Sequence, residues 1–201
     1  MTARRGKTLD KATRVAAAAT RTRYDAISIG LHWATAVLVA LLFGLAMVWD
    51  QFARPTRHQL IVLHLTLGLL LTAVLAWRIV WRLTPGHEVQ SAVTGWTERA
   101  SKAVQVLLYL LLVIQGALGY LARWGGGQAM QFFALQIPPP FPALGRAATH
   151  QLEQVHGWLG WTIIILAVGH AGAALLHHFV LHDQVLSRML PRGRLERTGP
   201  R

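Results

Sequence analysis

No cysteine occurs among the 201 residues. That excludes disulfides, thiolate-held iron–sulfur clusters, cysteine zinc sites and the C-x-x-C-H attachment of c-type haem. Charge is scarce as well, at 14% of residues, where a soluble domain carries about 25%. Acidic residues are the scarcest of all, eight against twenty Lys and Arg, which leaves a net charge of +12. In a soluble protein that excess would point to nucleic acid. Here 53% of residues are hydrophobic and they are gathered in long runs, so water is the wrong solvent.

Four runs stand out: Ile27–Trp49, Leu60–Val80, Val104–Leu121 and Leu159–Val180. A spanning helix needs about 20 mostly apolar residues. Only a helix satisfies its own backbone groups in lipid, short of a closed barrel. The pattern predicts an all-α membrane protein, a four-transmembrane-helix bundle, with spans over about 27–49, 60–80, 104–121 and 156–180. The first apolar run is longer than a signal-peptide core of about 7–15 residues, so it reads as a retained span.

The cations then become a topology signal. Seven lie in the leader to Arg23, four flank the link between spans two and three (Arg78, Arg82, Arg99, Lys102), and five lie from Arg188 to Arg201. Only Arg54, Arg57, Arg123 and Arg146 fall on the other side. The positive-inside rule makes the richer side, and both termini, cytoplasmic. No nucleic-acid partner is expected; the partner is the bilayer. Residues 1–23 read as a basic flexible tail, 24–190 as one helical domain and 191–201 as a second basic tail. The external stretch from Gln128 to His150, with Phe132, Phe133, Pro138–Pro140, Phe141 and Pro142, is too proline-rich to span. It is apolar enough to lie on the bilayer or to cover the outer face.

Inside these runs sit His32, His64, His156 and His170. Ionisable residues within a membrane are costly and default to function. His156 and His170 are 14 residues apart, about 40° short of four full turns, so they share a helix face roughly 21 Å apart. Span directions set the depths. His32 and His170 fall near the cytoplasmic face, His64 and His156 near the external face. Two bis-histidine sites follow, stacked across the membrane and built from facing helices. Gly68 follows His64 and Gly160 follows His156 by four residues, so each glycine shares its histidine's face and leaves space for a flat macrocycle. Glycine is also common wherever membrane helices pack closely. Four ligands at one depth would suit a tetrahedral zinc; two at each face do not. Two non-covalent b-type haems fit the pattern, with iron held by the pairs His32/His170 and His64/His156.

The other histidines read more blandly. His58, His87, His150 and His182 lie at span ends or in loops, and His177 and His178 end span four. His177, on the His170 face, is a propionate partner, a proton relay or an interfacial residue. Most of the eight tryptophans fall near span ends, as in an aromatic belt; Trp158 and Trp161 could also line the outer haem.

The stretches Tyr24–Trp33 (YDAISIGLHW), Leu63-His64 leading to Gly68, and His156–Pro191 (HGWLGWTIIILAVGHAGAALLHHFVLHDQVLSRMLP) resemble the bacterial cytochrome b561 family. Phe132–Pro142 resembles that family's loop before the last helix. The resemblance implies a di-haem b cytochrome of the bacterial inner membrane that exchanges electrons with ubiquinone, its haem ligands falling on the same four histidines. One branch of the family oxidises superoxide externally and passes the electron to quinone; the four external arginines could steer such an anion. The electron donor is otherwise a redox protein. The alternative is a cytochrome b electron-transfer subunit of a larger dehydrogenase or hydrogenase complex, whose haem-anchoring subunits have a similar helix plan. A metal transporter or haem sensor fits less well, because no repeat or broken helix is visible.

Overall fold

A computed structural model describes residues 22–85, 89 and 91–190. Most of the expected N-terminal tail, all of the C-terminal one and His87 lie outside the described residues. Among the described residues four helices are long and apolar enough to cross a membrane. They are α1 (Ala26–Val48), α2 (Arg54–Leu83), α3 (Gly95–Gly125) and α4 (Arg146–Phe179). Three of them overrun the apolar stretches. The 34 residues of α4 span about 51 Å at 1.5 Å per residue, against a hydrocarbon core of about 30 Å. Once a helix is nucleated each further residue adds a hydrogen bond, so polar first turns such as Arg146–Gln151 continue it.

Local chemistry sets the ends. Asp25 caps α1: its carboxylate accepts from the Ser28 N–H at 2.9 Å and the Ser28 hydroxyl at 2.7 Å, satisfying donors that the helix itself leaves open. Pro55 occupies the first turn of α2, where its missing N–H costs nothing. Pro85 follows Thr84, at which α2 stops. Gly125–Gly127 close α3, with Gly127 at φ +72°, a backbone region that glycine enters freely.

Packing is by hairpins. Helix α1 lies along α2 and α3 along α4, whereas α2–α3 and α1–α4 meet at only a few points. The cross-links between hairpins are specific. The Thr72 and Tyr120 hydroxyls join α2 to α3 at 2.5 Å, and Phe43 meets Trp161 edge-on at 4.8 Å between α1 and α4. Few side chains are buried: Ile163, Thr35, Thr66, Leu75 and Leu38 are among the deepest in the helices. Val106, Leu110, Val113, Ile165 and Val168 are exposed, as lipid-facing residues should be.

One element departs from the all-helical expectation. Between α3 and α4 the chain forms a two-stranded antiparallel hairpin, β1 (Met130–Phe132) and β2 (Leu135–Ile137), paired Met130 to Ile137 and Phe132 to Leu135. Its side-chain alternation was hidden by the prolines that follow it. Thr66 of α2 accepts from the Phe133 N–H at 3.2 Å, and Arg123 Nε donates to the Ala129 carbonyl at 3.0 Å. The hairpin therefore covers the end of the bundle near His64. At the opposite end the start of α1 meets the turn at 187–189. Arg23 donates to the Ser187 carbonyl at 2.8 Å and Trp33 Nε1 to the Met189 carbonyl at 2.9 Å.

Trp81 Nε1 also donates to the Asp25 carboxylate, at 3.2 Å. Burial alone would raise the Asp25 carboxyl, but the donors from Ser28 and Trp81 outweigh it and hold it below the usual carboxylate value. A depressed folded value means that the contribution is complete at neutral pH and is lost as pH falls through that value. Asp25→Ala should cost about 1 kcal/mol, read as a lower unfolding midpoint in detergent at pH 7. The gap between variant and parent should narrow as the pH is taken below about 4.

Candidate functional site: two histidine pairs between the hairpins

The four intramembrane histidines come together as two pairs. His32 of α1 lies within electrostatic reach of His170 of α4, and His64 of α2 within reach of His156 of α4. All four are half-buried. Among the described residues no three metal-ligating side chains converge, so the unit of the site is the pair. His32 with His170 lies toward the end where Arg23 and Trp33 meet the turn at 187–189, and His64 with His156 toward the β-hairpin.

The outer pair shares one hydrogen-bonding plan. His64 Nδ1 faces the Leu42 carbonyl of α1 at 3.1 Å, and His156 Nδ1 faces the Gln115 carbonyl of α3 at 3.2 Å. A carbonyl only accepts, so each Nδ1 carries the proton and each Nε2 keeps its lone pair. At His156 that lone pair faces the Gln115 amide Nε2 at 3.3 Å, a donor, which agrees with this tautomer. A backbone acceptor on one ring nitrogen is the usual support for a histidine whose other nitrogen binds metal. Trp49 meets the His64 ring edge-on at 5.1 Å and limits its rotation.

The inner pair is arranged differently. Arg78 Nη2 lies 3.0 Å from His32 Nδ1. A guanidinium only donates, so here His32 Nδ1 holds the lone pair. Arg78 also stands over the Tyr109 ring at 4.9 Å and lies within electrostatic reach of His170. The sequence marked Arg78 only as a topology cation and did not single out Gln115. A charge inside α2 was the signal for the first; the second is one polar residue in an apolar run.

The glycines divide. A Cβ added at Gly68 would meet nothing within 4 Å, as would one at Gly30 or Gly169. Gly160 departs from the expectation of open space: a Cβ there would meet Gln115 Nε2 at 3.4 Å. The room beside His156 is taken by the amide that contacts it. Gly119 admits the His156 ring itself, since a Cβ there would sit 3.2 Å from Cε1.

Comparison with known proteins gives the family. Residues 23–192 match the family model described as prokaryotic cytochrome b561. The chain belongs to that family. It is 34% identical to cytochrome b561 homolog 2 of Escherichia coli K12, over 84% of this chain and 91% of that protein. It is 32% identical to cytochrome b562 of Cereibacter sphaeroides, over 83% and 94%. It is 25% identical to the probable superoxide oxidase CybB of Yersinia pestis, over 86% and 98%. The chain is thus a multi-pass bacterial membrane cytochrome, and haem b is the prosthetic group that the family implies.

The residues suit such a group. The Nε2 lone pair of His64 is available, that of His156 becomes so once the Gln115 amide turns aside, Gly68 leaves open space on the His64 face, and the amide Oε1 of Gln115 is buried without a hydrogen-bond partner beside His156. The remaining sequence candidates have other work. Arg57 pairs with Asp50 at 2.7 Å and Arg123 holds the hairpin backbone, which leaves Arg54 and Arg146 as the external cations outside such bonds. His177 pairs with the Asp183 carboxylate, closing the turn after α4. Trp161 packs on Phe43, and Trp158 is exposed.

Gly119 tests the support of His156. Gly119→Val should drive the ring off the Gln115 carbonyl and cost about 1–3 kcal/mol by overpacking. The readout is the thermal midpoint in detergent. Gly44→Ala, where a Cβ meets nothing within 4 Å, is the control. Equal midpoints for the two variants would show that the ring has room to yield.

Proposed function

We propose that this cytochrome is an electron carrier holding two haem b groups, one on His64 and His156 and one on His32 and His170, and exchanging electrons with the ubiquinone pool. The observation that carries the reading is the shared tautomer of the outer pair. Two imidazoles on different helices each give Nδ1–H to a backbone carbonyl, which leaves Nε2 with the lone pair a metal needs, at His156 after the Gln115 amide has turned away. A bis-histidine haem supplies reversible one-electron transfer and leaves the iron no open position.

The protein's own part is positional. Leu42 and Gln115 carbonyls hold the imidazole rings, Trp49 restricts one of them, and the two hairpins hold the pairs at two depths. Depth is what makes a wire of them. Histidines spaced by 14 residues on α4 stand roughly 21 Å apart along its axis, so electrons entering at one face leave near the other. The basic leader and tail place both termini in the cytoplasm of an inner-membrane protein, with the outer pair beneath the β-hairpin. The outer donor in this reading is superoxide. The name of the Yersinia relative supports it, and Arg54 and Arg146 are the cations available to attract the anion.

Reduced-minus-oxidised spectra with haem counted per chain test the ligand assignment. Two haems are expected in the unmodified protein. Replacing His64 or His156 by Ala should remove one, and replacing His32 or His170 should remove the other. Two haems retained after all four changes would sink the assignment. Gly68→Leu should lower occupancy of the outer site while the helical content by circular dichroism stays unchanged. Superoxide-driven reduction of ubiquinone by the purified chain tests the activity. Activity seen only with a copurifying dehydrogenase or hydrogenase would instead make it a subunit.

A further inference from the structure

Arg78 is the one guanidinium of α2 that turns into the bundle. A cation near a helix end usually snorkels to the interface, yet this one points to His32 and Tyr109. It lines a pocket with Tyr24, Ser28, Trp81, Tyr109 and Arg82, the last one turn further along α2. Among the described residues no carboxylate forms an ion pair with either arginine. Asp25, which caps α1, is engaged by Ser28 and Trp81. Arg78 is half-buried and Arg82 exposed; among the described residues neither is paired with an anion, and a half-buried cation calls for one.

The tautomer of His32 gives the pocket its purpose. For His32 to bind iron through Nε2, its proton must move to Nδ1. Nδ1–H and the Arg78 N–H would then be two donors facing each other at 3.0 Å. Arg78 has to leave.

We infer that Arg78 and Arg82 form a carboxylate site, and that Arg78 exchanges His32 Nδ1 for a propionate of the inner haem when that haem binds. The inference rests on the ligand reading above. It makes the arginines positioning residues. A free His32 is held by Arg78, and the incoming carboxylate draws the guanidinium away and frees the ring to take the ligating tautomer. Arginine suits the task because its planar fork pairs with a carboxylate through two parallel bonds. A lysine would keep the charge and lose the fork.

The test uses the full-length holoprotein in detergent, with Arg78→Gln, Arg78→Lys and Arg82→Gln. Readouts are haem per chain, the midpoint potentials of both haems and the rate of haem transfer to apomyoglobin. Removing a cation from a propionate leaves negative charge that favours ferric iron. Arg78→Gln should therefore lower the midpoint of one haem and leave the other unmoved. It should also speed release of that haem by about tenfold, the worth of one charge-assisted bond. Arg78→Lys should restore the potential more than the release rate. Arg82 makes no hydrogen bond or ion pair among the described residues, so Arg82→Gln should fold normally and shift the same haem in the same direction. Unchanged potentials and release rates in both Gln variants, with two haems bound, would overturn the inference and leave the ligand reading standing. Loss of a copurified anionic phospholipid with haem potentials unmoved would assign the arginines to a lipid phosphate, and also overturn it. An unmodified protein without haem would overturn both.

Discussion

A buried imidazole needs a partner for its N–H, and in this bundle the partner is a backbone carbonyl of the neighbouring helix. His64 reaches Leu42 of α1 and His156 reaches Gln115 of α3. Each bond is worth about 1 kcal/mol net, and a buried donor left unsatisfied costs more, about 1–3 kcal/mol. Lipid cannot supply the missing acceptor. Each bond therefore fixes the packing of one hairpin, α1 on α2 or α3 on α4, and the tautomer of one histidine together. The same contact that holds the helices leaves the lone pair on Nε2 of each ring.

The rest of the architecture follows from keeping the two hairpins apart yet joined. The cross-links are small polar or aromatic contacts, Thr72 with Tyr120 and Phe43 with Trp161, rather than a continuous apolar seam. At one end the β-hairpin is pinned by Thr66 and Arg123. At the other, Arg23 and Trp33 tie the start of the chain to the turn at Ser187–Met189. A loosely packed centre with closed ends is a geometry for holding a flat group between helices.

Much of this was legible in the sequence. Apolar runs of bilayer length can be only helices or barrel strands, and their length decides between these. The charge asymmetry gives an expected orientation, and with it the expected pairing of His32 with His170 and of His64 with His156, residues that lie within electrostatic reach of one another in the fold. Residue patterns at Tyr24–Trp33 and His156–Pro191 carried the family, whose model covers residues 23–192. Less legible were the small hairpin at 130–137, whose three-residue strands are too short for a period-two signal, and the helix ends, where polar first turns continue an apolar run.

What the sequence determined by itself is the solvent and the number of spans, because these depend on length and composition along the chain. Only the tertiary structure decided which ring nitrogen is free. Facing helices bring a carbonyl to Nδ1 of His64 and His156 but a guanidinium to Nδ1 of His32. It also decided that Gln115 fills the room beside Gly160 and that Asp183 takes His177. Partners across a bundle are chosen by helix rotation and packing, and no spacing within a single helix encodes them.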